Sequence, residues 1–444
     1  MPEVRRDLTT KHKSTSKILA ELGMRHTLFH TKNNGAYAEV KVGDHVEVWP
    51  VNSLQYRQLL TGDYYRNFND VPDEKSLNQA IALLAARAIY DGKQRDVSTR
   101  IRNGFGSIFV DLADDDWRSV IIGRNGWKMH QKPYFTRNNG MMELPEPTEG
   151  TLRDLRPFVN LDNDQWLLLQ MFLVSSLRPQ GPFWILALNG RQGSGKSLLS
   201  RVIQKLIDPQ TVHSQKLFTN ERDLAISASN RHLLVYDNLS NITARQSDDL
   251  CRVSTGDGLS TRKLYTDTEE ILLQSSNPVV INGITNLIER PDLESRSLQL
   301  TLPVLNSRKS EEQFWDEFDE AWAGILGGLY EAVSVAFQRR DQIVVNENVR
   351  MLDPYKWALA AEPALDCEQG DVQRVYEGRT QRQHVQLLNS DPLASAIVQI
   401  VKTKCGTDHN RLVAGSSPAG PTSFTAQCLS ACWDGLPFGP LRLL

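Results

Sequence analysis

The sequence is poor in the features that mark secreted, zinc-binding and membrane-spanning proteins. It has five cysteines in 444 residues, an odd number without a Cys-x-x-Cys pair, which argues against a zinc site and a disulfide framework. No apolar run approaches the roughly 20 residues of a membrane span, and no apolar segment follows the charged N-terminus as in a signal peptide. We therefore expect a cytoplasmic protein without a membrane partner.

Charge of one sign is also scarce. The formal net charge is −3, with 40% hydrophobic and 23% charged residues, which is ordinary for a globular protein. The net charge of the whole chain does not indicate nucleic-acid binding, so a nucleic-acid-binding surface would have to be a local basic patch. The length predicts two to four domains.

The first part of the chain, residues 1–145, reads as a small α+β domain. Alternating residues around a Gly43-Asp44 turn predict a β-hairpin over 36–50, and strong helix formers predict a helix over 76–89. Strands are predicted at 107–112, 117–122 and 126–129. We expect this domain to serve assembly or DNA docking. A linker rich in Pro and Glu, residues 142–150, follows it.

The middle of the chain, residues 150–308, alternates strands with helices, so the predicted fold class is α/β with a parallel sheet. Residues 309–410 read as a helical region, with a helix over 310–342 broken at Gly324 and at Gly327 and Gly328, and further helices at 350–365 and 391–403. The last segment, 411–444, reads as a disordered tail. Its residues 415–418, Gly-Ser-Ser-Pro, also match one translated frame of a tRNA-gene T-arm, which would make the tail read-through sequence.

One glycine-rich segment carries the strongest functional signal. An apolar run ends at Leu188, a G-x-x-x-x-G-K-S motif follows, and a helical pattern begins at Ser197. This order predicts a phosphate-binding loop whose amides surround a nucleotide at a helix N-terminus. Lys196 would reach the β- and γ-phosphates of ATP, and the Ser197 hydroxyl would bind Mg²⁺. The predicted nucleotide-binding residues are Gly190, Gln192, Gly193, Ser194, Gly195, Lys196 and Ser197.

A second apolar strand ends in an acid. Asp237 closes the run that begins at Arg231, which is the expected position of a carboxylate that holds Mg²⁺. Asn238 stands where many such ATPases carry a glutamate, and an amide cannot accept the proton of the attacking water. Another carboxylate would then serve as the base, or turnover is slow. The candidates are Asp257, Glu269 and Glu270, although the favoured interpretation of all three is exposed loop carboxylates.

Three further residues extend the predicted site. A third apolar strand ends at Asn282, which either contacts the γ-phosphate as a sensor or forms an Asn-Gly turn. Arg290 and Arg296 precede a fourth apolar strand. Either one could act as an arginine finger in a neighbouring subunit, an effect worth about 10³–10⁵ in rate, or it could form a local ion pair.

The segment between the acid-bearing strand and the Asn282 strand is basic. It contains Arg262, Lys263 and Tyr265 among glycines and hydroxyl residues. Arginine and lysine can hold phosphates while tyrosine stacks on a base, and a solvated hairpin is the alternative interpretation.

The ordered set of these motifs resembles the superfamily 3 helicase-like ATPases, over roughly residues 150–345. More closely, it is similar to the ATPase half of phage and plasmid primase–helicases of the poxvirus type. The resemblance implies an AAA+-like P-loop fold, a ring that is usually hexameric, Mg-ATP held by Lys196, Ser197 and Asp237, and a hairpin that grips single-stranded DNA. It makes Asn282 the sensor and Arg296 the finger, with Arg262 and Lys263 as DNA contacts. It also implies a C-terminal winged-helix module, truncated here.

The sequence therefore predicts an ATPase and a DNA-dependent motor of a mobile element, with ATP and Mg²⁺ as ligands. The alternative is a nucleotide-gated regulatory switch with weak hydrolysis, which Asn238 motivates. A small-molecule kinase is disfavoured because the basic insertion would have no role in it. A primase site is not supported, because Asp111 and Asp114 fall on opposite faces of a strand.

Overall fold

The computed structural model describes residues 14–104, 106–131, 135–257, 259–262, 270–273, 276–283, 287–305, 309–345 and 349–379, with the backbone alone for 259–262 and 270–273. The predicted helix at 391–403, the tail at 411–444, and the residues Lys263, Tyr265 and Glu269 lie outside this description. Within it, no helix combines the length and the apolar composition needed to cross a membrane.

The first layer pairs an antiparallel hairpin with three helices. Its strands lie in the order β3-β2-β1-β4, and the side chains of Ser14, Ser53 and Asp73 cap its helices. The predicted hairpin and helix are confirmed. The elements are α1 (Thr15–Gly23), β1 (Thr27–His30), β2 (Ala36–Val42), β3 (His45–Pro50), α2 (Leu54–Phe68), α3 (Glu74–Tyr90) and β4 (Lys93–Gln94).

A second antiparallel sheet follows, and it confirms the three strands predicted there. Its acidic residues are structural: Arg137 donates to Asp111 at 2.7 Å, and Arg118 donates to Asp114 at 2.5 Å. The predicted placement of the two acids on opposite faces of a strand is wrong, because Asp114 lies beyond the strand that ends at Asp111 and both acids face Arg137, at 2.7 and 3.8 Å. Their pairing with arginines is what argues against a metal-binding primase site. The strands are β5 (Ile101–Gly104), β6 (Ser107–Asp111), β7 (Ser119–Gly123) and β8 (Gly126–His130).

The rest of the described chain is α/β, as the alternation of strands and helices predicts. Four strands lie in the order β10-β13-β9-β14, and every neighbouring pair is parallel. The elements are α4 (Asn163–Ser176), β9 (Ile185–Asn189), α5 (Lys196–Ile207), α6 (Glu221–Asn230), β10 (Leu234–Leu239), α7 (Ala244–Thr255), β11 (Leu259–Arg262), β12 (Glu270–Leu273), β13 (Val279–Gly283), α8 (Pro291–Glu294), β14 (Ser297–Thr301), α9 (Glu311–Arg339) and α10 (Leu352–Ala361).

The strand order predicts a ligand site above the middle of this sheet. The strand that follows β9 in the chain, β10, lies two positions away, and β14 fills the other side of β9. The carboxyl ends of β9, β10 and β13 therefore meet at one edge of the sheet. In open parallel sheets, ligands bind at the point where the strand order reverses.

The buried apolar residues divide the chain differently from the predicted boundary at residue 145. Residues between Leu19 and Leu84 form one core. The second antiparallel sheet instead shares its core with α4, α9 and α10 through residues such as Ile108 and Leu329. A buried ion pair adds to this junction, because Arg100 Nε donates to Asp208 Oδ1 at 2.9 Å just beyond the end of α5.

The glycines predicted to break the long helix do not break it. Helix α9 is continuous from Glu311 to Arg339. Its glycines serve another purpose, because they allow a neighbouring chain segment to pack closely against the helix. A Cβ on Gly327 would lie 1.7 Å from the carbonyl oxygen of Thr148, and a Cβ on Gly328 would lie 2.4 Å from the carbonyl carbon of Thr151. The predicted linker is thus packed on α9, and Thr148 N–H donates to Ala323 O at 3.0 Å.

Candidate functional site

The glycine-rich loop joins β9 to α5 in a conformation that requires glycine. Gly190, Gly193 and Gly195 have φ values of 149°, 80° and 87°, which side chains with a Cβ rarely adopt. At Gly190 a Cβ would also lie 2.8 Å from the carbonyl oxygen of Leu302. A loop of this kind can turn successive amides toward one anion at the start of the helix.

Two polar residues of the loop occupy different environments. Gln192 is exposed, whereas Ser194 is buried. A Cβ on Gly190 would lie 2.7 Å from Ser194 Oγ, so the Ser194 side chain fills the inside of the loop. Its hydroxyl has no hydrogen-bond partner among the described residues. Ser194 thus shapes the loop from within, and Gln192 is the side chain that a ligand would meet from outside.

Lys196 lies across the loop. Its ammonium group donates to the carbonyl oxygens of Gly190 at 2.7 Å and Arg191 at 3.0 Å. The side chain is 9% exposed, and its burial lowers the pKa of the ammonium while nearby Asp237 opposes that shift. The cation is therefore held at the loop by neutral partners, which leaves its charge available to an anion.

Ser197 and Asp237 are 40 residues apart in sequence and in contact in the structure. Ser197 Oγ donates to Asp237 Oδ1 at 3.0 Å, since α5 begins beside the end of β10. A hydroxyl and a carboxylate side by side suit Mg²⁺, which prefers oxygen ligands and keeps several waters. Within the described part of the chain, no three His, Cys, Asp or Glu side chains cluster as a metal site, so phosphate oxygens and water would complete the shell.

Asn282 links the strands of the site to the helix. Its Oδ1 accepts the backbone N–H of Asn238 at 2.9 Å, and its Nδ2 donates to Ser200 Oγ at 2.8 Å. Asn238 itself has φ 59° and an exposed side chain. The buried amide of Asn282 thus fixes the residue that follows Asp237. Ser200 was not predicted as a site residue; the available signal was its position one helical turn after Ser197.

The structure locates one of the three candidate bases relative to the loop, namely Asp257. Asp257 follows α7, at the end of the sheet opposite to the loop, because the carbonyl of the nearby Ser254 accepts the N–H of Phe183, just before β9. Glu270 is described by its backbone alone, in β12. Asp257 is therefore too distant to act as the general base for the site of its own chain.

The two arginines differ in exposure and position. The Arg296 side chain is 10% exposed and donates to Asp292 Oδ1 at 2.5 Å. It precedes β14, at the end of the sheet opposite to the loop. The Arg290 side chain is 42% exposed and donates to Asp248 Oδ1 at 2.6 Å and to Ala244 O at 2.7 Å. Arg296 therefore cannot reach the loop of its own chain, and Arg290 is the more accessible cation.

The basic segment contains a hairpin, which is compatible with both sequence interpretations. β11 and β12 pair antiparallel, with Arg262 opposite Glu270. The Arg262 side chain, Lys263 and Tyr265 lie outside the described atoms, so their DNA-contact roles stay predictions.

Comparison with known proteins gives one family match. The model of the actinomycete integrative conjugative element replication protein matches residues 152–368, a segment that contains the loop, Asp237 and Asn282. This segment is just under half of the chain. No curated protein sequence matches significantly.

Solved structures with a similar course of the chain include one titled as an active helicase, Cch, of SCCmec type IV. It shares 12% identity with a TM-score of 0.47, over 86% of this chain and 78% of that one. The C-terminal region of NrS-1 shares 11% identity with a TM-score of 0.43, over 94% and 84%. Both TM-scores lie below 0.5, so these two structures carry no information on function.

Proposed function

We propose that this chain is a P-loop ATPase that acts as a helicase-like DNA motor in the replication of a mobile element. The observation that carries the proposal is the 3.0 Å contact of Ser197 with Asp237, directly beside a loop whose glycines have positive φ. The family match over residues 152–368 supports the replication role.

In this proposal, each residue of the site has one task. The loop amides and Lys196 bind the triphosphate, and Ser197 and Asp237 hold Mg²⁺. Bound Mg²⁺ neutralises charge that develops on the phosphates. Asn282 orients the end of β10 through the Asn238 amide, and the exposed Asn238 side chain can orient a water without accepting its proton.

A second candidate function is a nucleotide-gated switch with weak hydrolysis. Asn238 favours it, because the residue immediately after Asp237 carries an amide and not a carboxylate, and an amide cannot act as a general base. Tight ATP binding with negligible turnover, with or without DNA, would support the switch.

The proposed activity is tested by ATP turnover with and without single-stranded DNA. We expect DNA to stimulate the wild type, and Lys196→Ala to lower turnover by at least about 100-fold because it removes a cation from the developing charge. Lys205→Ala is the matched control: this lysine lies on the same helix and binds Asp319. Turnover that DNA does not change would refute the motor and leave the ATPase.

The ring is also a proposal. Since Arg296 lies at the far end of the sheet from its own loop, an arginine finger would have to come from a neighbouring subunit. Arg290 and Arg296 are the candidates, and Arg290 needs less rearrangement because it is more exposed.

A further inference from the structure

A polar cleft lies at the end of the parallel sheet opposite to the glycine-rich loop. It has a volume of about 340 Å³ and is lined by residues from β5, α10 and the segments that follow α4 and α9. The segment after α4 leads into β9, and the loop follows β9, so the length of that strand separates the two sites. The lining residues that matter here are Arg178, Arg340, Asp341, Asp353, Lys356 and Trp357.

Arg178 is the unusual group in this cleft. It is 91% buried, since 9% of its surface is exposed, and its guanidinium donates to the carbonyl oxygens of Pro182 at 2.9 Å and Gly181 at 3.5 Å. No carboxylate within the described residues lies within 4.0 Å of it. Burial lowers the pKa of the guanidinium to about 10, although Asp353 stabilises the charge from a longer distance. A buried cation without a directly paired charge is costly, and a bound anion would lower that cost.

The rest of the lining is balanced in charge and adds donors. Arg340 and Lys356 stand against Asp341 and Asp353, and Asp341 is paired with Arg340 at 3.6 Å and with Arg124 from outside the cleft at 2.7 Å, so the formal charge of the cleft is that of Arg178. Within the described part of the chain, no carboxylate lies within 4.0 Å of the Lys356 ammonium, and the buried indole N–H of Trp357 has no hydrogen-bond partner. The Arg340 guanidinium lies over the Phe337 ring at 4.4 Å, which holds its planar fork in place.

We infer that this cleft is a second anion site, and that it binds a backbone phosphate of single-stranded DNA. Two guanidinium groups and one ammonium match the geometry and charge of a phosphodiester. The volume, roughly that of ten waters, accommodates a phosphate with its sugar. The choice of DNA as the source of the phosphate rests on the proposed function, while the cleft itself is independent of the nucleotide site.

The test is the salt dependence of oligonucleotide binding, measured by fluorescence anisotropy without nucleotide. Each phosphate contact to a single strand contributes about −0.7 to the slope of log affinity against log salt. We expect Lys356→Glu to weaken binding about tenfold at low salt and to flatten the slope by about 0.7–1. Lys356→Gln, which adds no negative charge, should show a smaller loss of the same kind.

Lys32→Glu is the matched control. Lys32 is exposed, the substitution changes the charge by the same amount, and the residue lies far from Lys356 in sequence, in the part of the chain with a separate hydrophobic core. Equal effects of Lys356→Glu and Lys32→Glu, or no effect of either, would overturn the inference. A second arm measures the protection of the protein from thermal unfolding by inorganic phosphate. Protection that Lys356→Glu abolishes, with unchanged oligonucleotide affinity, would overturn DNA as the source.

The proposed ATPase fails independently of this site. Oligonucleotide binding that depends on Lys356, in a chain without ATP turnover, would refute the proposed function and support the cleft. Turnover that DNA stimulates, together with oligonucleotide binding that Lys356→Glu does not change, would support the proposed function and refute the cleft as a DNA site.

Discussion

Asn282 sets the geometry of the candidate site through two buried hydrogen bonds. Its Oδ1 accepts the backbone N–H of Asn238 and its Nδ2 donates to Ser200 Oγ, so one side chain links β10 to α5. Removal of one partner from a buried hydrogen bond costs about 1–3 kcal/mol. The distance between Ser197 and Asp237 depends on the same two elements, which makes Asn282 a positioning residue for the metal ligands.

Asn282→Ala should therefore impair the site more than the fold. Its matched control is Asn277→Ala, because Asn277 is also buried and bonded to backbone carbonyls, including that of Arg231 at 2.7 Å, at the other end of β13. We expect similar losses of unfolding free energy, about 1–3 kcal/mol each. Asn282→Ala alone should lower turnover per folded molecule, by about tenfold, in steady-state kinetics. Equal kinetic losses in both variants would contradict the positioning role.

At the scale of elements, helix α9 shows how glycine serves close packing. Gly327 allows the carbonyl of Thr148 to approach the helix, whereas a Cβ on Gly324 would lie 3.7 Å from the nearest atom, Glu149 O. The first position has no room for a methyl group and the second has an ordinary contact distance. The same residue type thus has opposite consequences one turn apart.

This difference predicts opposite effects of two alanine substitutions. Gly327→Ala should lower the unfolding free energy by about 1–3 kcal/mol or more, because the methyl group forces the 142–152 segment away. Gly324→Ala should be neutral or stabilising by up to about 1 kcal/mol, because alanine is the better helix former. Urea denaturation of both variants measures this. Destabilisation of the same size in both would contradict the packing account.

Local sequence patterns predicted the helices and strands well, but they did not predict contacts between residues that are distant in sequence. The hairpin at 36–50, the helix at 76–89 and the parallel sheet follow from periodicity and turn residues within short windows. The packing of Thr148 on Gly327 does not, since an isolated glycine in a helical pattern reads as a break. The loop and Asp237 were predicted from motifs, but the link from Ser200 to Asn282 spans 82 residues and leaves no local pattern.

At the scale of the whole molecule, the nucleotide site and the arginines lie at different places on the sheet. Arg296 stands at the end opposite to the loop, and Arg290 contacts the start of α7 through Ala244. A finger role for Arg296 requires a neighbouring copy of the chain, which is the reason to propose a ring.

A mixing experiment tests the ring. Arg290→Ala and Arg296→Ala subunits keep an intact loop, and Lys196→Ala subunits keep both arginines. If one arginine acts across an interface, the corresponding variant should lose turnover alone and recover part of it when mixed with Lys196→Ala. Activity that stays at the level of the separate variants, in both mixtures, would contradict a finger that acts between subunits.

The most direct measurement is a calorimetric titration of the protein with ATP, with and without Mg²⁺. The loop amides, Lys196 and the Ser197–Asp237 pair together predict binding that Mg²⁺ strengthens, that Lys196→Ala weakens by at least about tenfold, and that loses its Mg²⁺ dependence in Asp237→Ala. Equal ATP affinity in the wild type and Lys196→Ala, with no effect of Mg²⁺ on either, would contradict the account.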